Sequence, residues 1–185
     1  MADVSAREGQ LDRRESEIMK NVMAWRRIPV SQVMTPRTVV FSMSSSATVE
    51  DFHHTQNKDR FSRIPVYDRD PDNMTGFVLR SDLLLAKVQG DHKKSLGSFE
   101  REMPALPETA SLAGAFRTMQ SAKAHIALVV DEYGDLQGIL TLEDLLETLL
   151  GLEIVDESDG AVDMREEARK QWQQRAEKLG VEPDQ

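Results

Sequence analysis

Apolar residues along this chain come in short bursts, and the order of the bursts repeats. From Thr48 the sequence reads "TVEDFHHTQNKDRFSRIPVYDRDPDNMTGFVLRSDLL"; from Ser111 it reads "SLAGAFRTMQSAKAHIALVVDEYGDLQGILTLEDLL". Val49 matches Leu112, Val66 matches Val129 and Asp68 matches Asp131, each 63 positions apart. Gly76 then matches Gly138, and Asp82 matches Asp144, at 62, so the first copy carries one more residue in its turn. Each copy predicts helix, strand, turn, strand, helix. Thr48 and Ser111 are N-cap residues, each followed by an apolar residue that opens a helix. "RIPVY" and "IALVVD" are β-rich runs, ended by the turn signals "DRDPDNMTG" and "DEYGDLQG". "FVL" and "GIL" supply second strands, and "SDLLLAKV" and "LEDLLETLL" the closing helices. Lead segments, "VMTPRTVVFSM" and "REMPALP", precede the first helices. One copy alone buries its apolar face poorly, so the expected fold is α/β (α+β). Two β-α-β-β-α repeats would pack about a pseudo-twofold axis.

The flanks follow other patterns. Between Glu15 and Trp25, Ile18, Val22 and Trp25 fall at helical spacing, and near the end Met164, Ala168, Trp172 and Leu179 form a second stripe. Both predict amphipathic helices docked on the body or on a symmetry mate. The expected division is 1–29 lead-in, 30–97 first repeat, 98–155 second repeat and 156–185 acidic linker and tail helix.

Composition narrows the partners. A formal net charge of −9 argues against a nucleic-acid backbone, whose binding rests on clustered Lys and Arg. Cysteine is absent, which removes disulfides and thiolate zinc sites and fits a reducing cytoplasm. No apolar run approaches the roughly 18 residues of a membrane span, and the polar N-terminus is not a secretory signal.

Candidate chemistry gathers where the second repeat's last strand turns into its helix. Thr141 and Asp144 form T-x-x-D there: a hydroxyl and free helix N–H groups suit a phosphate, and a carboxylate suits vicinal ribose hydroxyls. The same two residues also spell a capping box with a purely structural role. The first copy keeps Asp82 but has Leu79 in place of the threonine, so one complete site per chain is expected. The acidic tract Glu143, Asp144, Glu147, Glu153, Asp156, Glu157 and Asp159 invites a metal. Mg2+ keeps most of its waters and borrows phosphate oxygens, so Glu143 and Glu147 are expected to meet it only through Mg–ATP, with no direct protein metal site. His53 and His54 point to different helix faces and lack a third ligand, and His125 opens a strand. No P-loop, nucleophile elbow or His-Glu-x-x-His occurs, and no catalytic residue is assigned.

"VMTPR" (33–37), "SRIPVY" (62–67) and "GILTLEDLLETLLGLEIVDESD" together resemble the CBS-domain pair, or Bateman module, of CorC/CNNM-type magnesium and cobalt efflux proteins, the hemolysin-related DUF21-CBS family. The likeness covers roughly Val30 to Asp159. It implies an adenine nucleotide, ATP with Mg2+, bound by Thr35 of "VMTP", by Ser62, Arg63, Ile64 and Pro65 along the base, and by Thr141, Glu143 and Asp144. Arg63 would stack on the base, pair with phosphate, or form a surface ion pair; Pro65, lacking an N–H, would keep a strand edge open. The resemblance further implies a regulatory, non-enzymatic module on the cytoplasmic face of the inner or plasma membrane. It would be joined to a membrane-embedded transport domain and would pair into a homodimer. As given, the chain is expected to resemble the subset of relatives that stops after a short tail helix, without the small C-terminal domain that many carry. Two other readings stay open: a freestanding interaction protein that binds no nucleotide, and an ATP-hydrolysing enzyme.

Overall fold

A computed structural model describes residues 15–55 and 60–151. Within them the two repeats form the expected elements. The first comprises β2 (Met43–Ser44), α2 (Val49–His54), β3 (Arg63–Tyr67), β4 (Met74–Leu79) and α3 (Arg80–Val88). The second comprises β5 (Ala105–Pro107), α4 (Leu112–Ser121), β6 (Ile126–Val130), β7 (Leu136–Thr141) and α5 (Leu142–Leu150). Thr48 and Ser111 cap as anticipated, accepting the N–H of Asp51 at 3.1 Å and of Gly114 at 3.2 Å. β3 runs antiparallel to β4 and parallel to β2; β6 does the same with β7 and β5. Each hairpin shifts register at the matching place, after Val66 and after Val129. The extra residue of the first copy lies in its hairpin turn, where Tyr67 pairs with Met74 while Val130 pairs with Leu136.

Each repeat has its own core. Val49, Phe52, Ile64, Val66, Val78, Leu83, Ala86 and Leu96 fill the first. Leu106, Leu112, Ala115, Met119, Ala127, Val129, Leu140 and Leu145 fill the second. A third cluster, Met74, Ile126, Leu136 and Ile139 with Tyr67, Phe77 and Leu128 against it, joins the two sheets. Each fully buried Leu, Ile or Phe contributes roughly 1.5–3 kcal/mol relative to exposure, so the seam holds the halves together by the same force that fills each of them.

The chain is not divided between these cores in simple order. A helix over 15–24 (α1) and the segment after it belong to the second half: Trp25, Val30 and Val33 are buried in its core. The Val30 N–H donates to the Ala110 carbonyl at 2.8 Å. β1 (Thr35–Pro36) then pairs antiparallel with β7, Thr35 opposite Ile139, before the single turn Arg37–Val39 carries the chain into the first half. The exchange is reciprocal. Arg101, leading into the second repeat, pairs with Phe77 of β4 through N–H···O bonds of 3.0 and 2.8 Å.

The α1 stripe is rotated from the expected one. Trp25 docks, but Val22 is 50% exposed. Asn21 faces α5 instead, donating from Nδ2 to the Leu149 carbonyl at 3.1 Å. The last carbonyls of a helix have no partner inside it, so a polar side chain at this position satisfies one of them where valine would not. No helix among the described residues is long and apolar enough to cross a membrane. The expected tail helix lies outside them.

Candidate functional site

β7 ends at Thr141, whose extended backbone (φ −107°, ψ 162°) makes it the N-cap of α5. Its hydroxyl donates to Asp144 Oδ2 at 2.7 Å, its N–H donates to the same oxygen at 2.8 Å, and the Asp144 N–H returns a bond to Thr141 Oγ1 at 3.2 Å. The capping box read as an alternative is therefore present. It is not peculiar to this place: Thr48 and Asp51 at the head of α2 make the same three bonds at 2.8, 2.7 and 3.1 Å. A capping box by itself does not mark a ligand site. What sets Thr141 apart from Thr48 is its surroundings.

Arg63, at the start of β3 in the first half, reaches across to Glu143 in the first turn of α5, Nη1 to Oε1 3.9 Å. An ion pair this long between partly exposed groups contributes at most about 1 kcal/mol, so both side chains can re-pair at little cost. Thr35 approaches from the other side on β1, half-buried and two residues from the strand end that carries Thr141. Two segments remote in sequence thus converge with α5's positive N-terminal end, which favours anionic groups. Ser62 is exposed, its carbonyl accepting the Arg80 N–H at 3.0 Å at the head of α3. His125 stands in the same relation to α5, accepting the Leu142 N–H at 3.0 Å.

Ile64 and Pro65 are differently placed. Ile64 is wholly inside the first core, so its side chain cannot line an open slot and only its backbone is available to a base. Pro65 is buried opposite Phe77, whose own N–H and C=O are engaged by Arg101. The N–H that proline lacks would point away from β4, toward the edge where β2 pairs only with Val66 and Tyr67. At the matching position of the second repeat, Leu128 uses its N–H to hold Pro104 at 2.9 Å.

The first half's counterpart is stripped. Leu79 makes no side-chain cap. By the repeat offset Arg63 corresponds to Ile126, which is buried, and Glu143 to Ser81. Asp82 is bonded to Arg101 Nη2 at 2.9 Å. Arg101 escaped the sequence reading because the two lead segments differ in length: the turn Arg37–Val39 is extra, so their motifs do not align.

Glu147 lies one turn beyond Glu143 on α5; Glu153, Asp156, Glu157 and Asp159 fall outside the described residues. Among the described residues no group of three His, Cys, Asp or Glu is placed to hold a metal. His53 packs edge-on against Phe52, ring centroids 5.3 Å apart, and His54 bonds to Glu50 Oε1 at 2.9 Å.

Glu50 also bonds to His92 at 2.9 Å. Partial loss of solvent opposes its ionisation, but the bonds to the two imidazoles outweigh that and hold its carboxyl below the ordinary 4.5. The Thr48 N–H and hydroxyl hold Asp51 below 3.8. Both groups have depressed values in the fold, so the stability they lend α2 is complete above those ordinary values and is lost as pH falls through the depressed ones. Urea midpoints measured at pH 7, 4 and 3 should fall less steeply with pH for Asp51→Asn than for the wild type; identical slopes would refute the assignment.

The CBS-domain family model matches residues 17–89 and 97–151. The chain is 31% identical over 183 residues to the UPF0053 protein sll1254 of Synechocystis, covering 99% of this chain and 53% of that protein. It is 28% identical over 174 residues to the magnesium and cobalt efflux protein CorC of Escherichia coli, covering 93% and 59%. It thus spans little more than half the length of either. Among solved structures it is similar to the CBS domain of the bacterial CNNM/CorC family Mg2+ transporter in complex with ATP. The TM-score there is 0.70 and the identity 31%, over 75% of this chain and 98% of that one. CBSX2 in complex with AMP is also similar, with TM-score 0.54 and 28% identity over 66% of this chain and 96% of that one.

Proposed function

We propose that this chain, which belongs to the CBS-domain family in its CNNM/CorC branch, is the nucleotide-binding regulatory module of a divalent-cation transporter. The observation that carries the reading is the meeting of Arg63 and Glu143, from opposite halves, at the helix end capped by Thr141 and Asp144. An ATP phosphate brought there would draw Arg63 from its long contact with Glu143 into a shorter, charge-assisted bond. The Thr141 hydroxyl, now spent on Asp144, would turn to the phosphate, leaving Asp144 Oδ2 to accept from ribose hydroxyls. Glu143, deprived of Arg63, would face the phosphates as like charge, a repulsion that Mg2+ carried by the nucleotide would relieve, with Glu147 one turn away. Thr35 on β1 and the backbone of 62–65 would flank the base.

A ligand gripped from both halves binds one arrangement of them better than another, and that difference shifts their balance. A regulatory role follows from this; hydrolysis is no part of the reading, in which phosphate engages the Thr141 hydroxyl and ribose hydroxyls engage the Asp144 carboxylate. The Mg/Co transport domain, the cytoplasmic face and a homodimer belong to the same proposal. For the dimer, α3 presents Leu84, Leu85 and Val88, the last 86% exposed, as a face for a second copy; light scattering should return twice the chain mass. Calorimetry with ATP, ADP and AMP, each with and without Mg2+, tests the whole. One nucleotide per chain, bound more tightly with Mg2+, is expected, and no heat at millimolar nucleotide would overturn the reading.

A further inference from the structure

The repeat places Arg101 in a position that strand register defines without reference to sequence motifs. In the second half, Thr35 lies opposite Ile139, and its carbonyl crosses Gly138, where no Cβ could fit. In the first half, Arg101 lies opposite Phe77, and its carbonyl crosses Gly76, where a Cβ would stand 2.5 Å from it. Gly76 and Phe77 are the repeat mates of Gly138 and Ile139, so Arg101 is the structural counterpart of Thr35. Its guanidinium extends to Asp82, Nη2 to Oδ2 2.9 Å, and Asp82 is the repeat mate of Asp144. Thus each half has an exchanged segment laid over its last strand beside a helix start. In one half that segment brings a small hydroxyl, in the other a long cation.

We propose that Arg101 closes the first half's nucleotide site from within, its side chain standing where a ligand would lie and taking the carboxylate a ribose would use. The inference rests on the nucleotide reading of the second half and extends it to regulation. One half is occupied by its own arginine, in a short ion pair, while the other waits for a ligand, so the module has a single input. Leu79 completes the closure. It offers no hydroxyl to a phosphate, yet its backbone (φ −87°, ψ 131°) is in the extended region that Thr141 also adopts. A threonine fits there without strain and would form with Asp82 the capping box seen at Thr141.

The test is a change of stoichiometry. By calorimetry with Mg–ATP, the wild type should take one nucleotide per chain. Leu79→Thr/Arg101→Thr should take two, the second within about a hundredfold of the first in affinity. Adding Asp82→Ala to that variant should return it to one, and Leu79→Thr with Arg101 intact should stay at one. Thermal melting checks folding; the restored cap should keep the double variant at or above the wild-type midpoint. Were that variant to melt far lower, Arg101→Thr alone serves, with a second, weaker binding event expected. A folded open variant that still takes one nucleotide overturns the proposal, as does a wild type that takes two. A wild type that takes none sinks the nucleotide reading itself, a distinct result.

Discussion

Replacing Gly138 by alanine should unseat β1 from β7 and weaken folding and nucleotide binding together. A Cβ at 138 strikes the Thr35 carbonyl and would stand 3.1 Å from the Thr35 carbonyl carbon and 3.3 Å from Met34 Sδ. Methionine could bend aside, but the nearest obstacle is backbone and cannot. The two-residue strand must move, losing its pairing opposite Ile139 and displacing Thr35 from the end of β7. Overpacking of this kind costs about 1–3 kcal/mol, and loosening the segment that carries Val30 and Val33 into the second core adds to it. Gly134→Ala is the informative contrast. Gly134 sits at φ +87°, and a Cβ there would meet nothing within 4 Å, so alanine suffers only the left-handed backbone, about 1–2 kcal/mol, and should leave nucleotide affinity unchanged. Urea denaturation and calorimetry on both variants decide the matter. A Gly138→Ala protein with wild-type midpoint and affinity would show that the close crossing constrains nothing.

The two capping boxes allow a sharper dissection. Thr48→Ala and Thr141→Ala remove the same two hydroxyl bonds from the same helix position and leave the backbone N–H bond to the aspartate, so each should cost about 0.5–2 kcal/mol of stability. Only Thr141→Ala should weaken nucleotide binding. Loss of a hydrogen bond to a charged phosphate costs about 1.5–3 kcal/mol, a fall of roughly ten- to a hundredfold in affinity. Thr141→Ser keeps the hydroxyl and should retain both properties. If Thr141→Ala lowers the melting point as Thr48→Ala does yet binds nucleotide like the wild type, Thr141 is a cap and nothing more.

Much of this was legible in the sequence because helices, hairpins and caps are local. "RIPVY" is β3 from end to end, and both first helices begin after the residues read as caps. The exchange of lead segments was not legible. β1 and the Arg101 bridge are too short to carry a two-residue alternation, and Thr35 and Arg101 find partners far along the chain. The candidate site suffered accordingly. Thr141 and Asp144 could be read from their motif, and Arg63 from its likeness to a family pattern, but Arg101 announces itself only once register equates it with Thr35. Ile64 is the reverse case, a position whose side chain is buried, leaving only its backbone to the proposed site. Its alternation suits either face of β3, and packing against Phe52 and Leu83 turned it to the core. At α1, periodicity favoured Val22 over Asn21, because counting apolar residues does not register the unpaired carbonyls at the end of α5.

α5 has one more consequence, which is mechanical. At its head stand Thr141 and Asp144; at its foot the Leu149 carbonyl is held by Asn21, with Trp25 of the same lead-in segment sunk in the core beneath. Its nine residues span about 13 Å. Over so short a length a helix moves as a stiff strut, so a tilt imposed at the head reappears at the foot. A pull on α1 would reach the Thr141 half directly, leaving the first repeat as ballast. The shortest line of force through the molecule therefore bypasses the half that comes first in the chain.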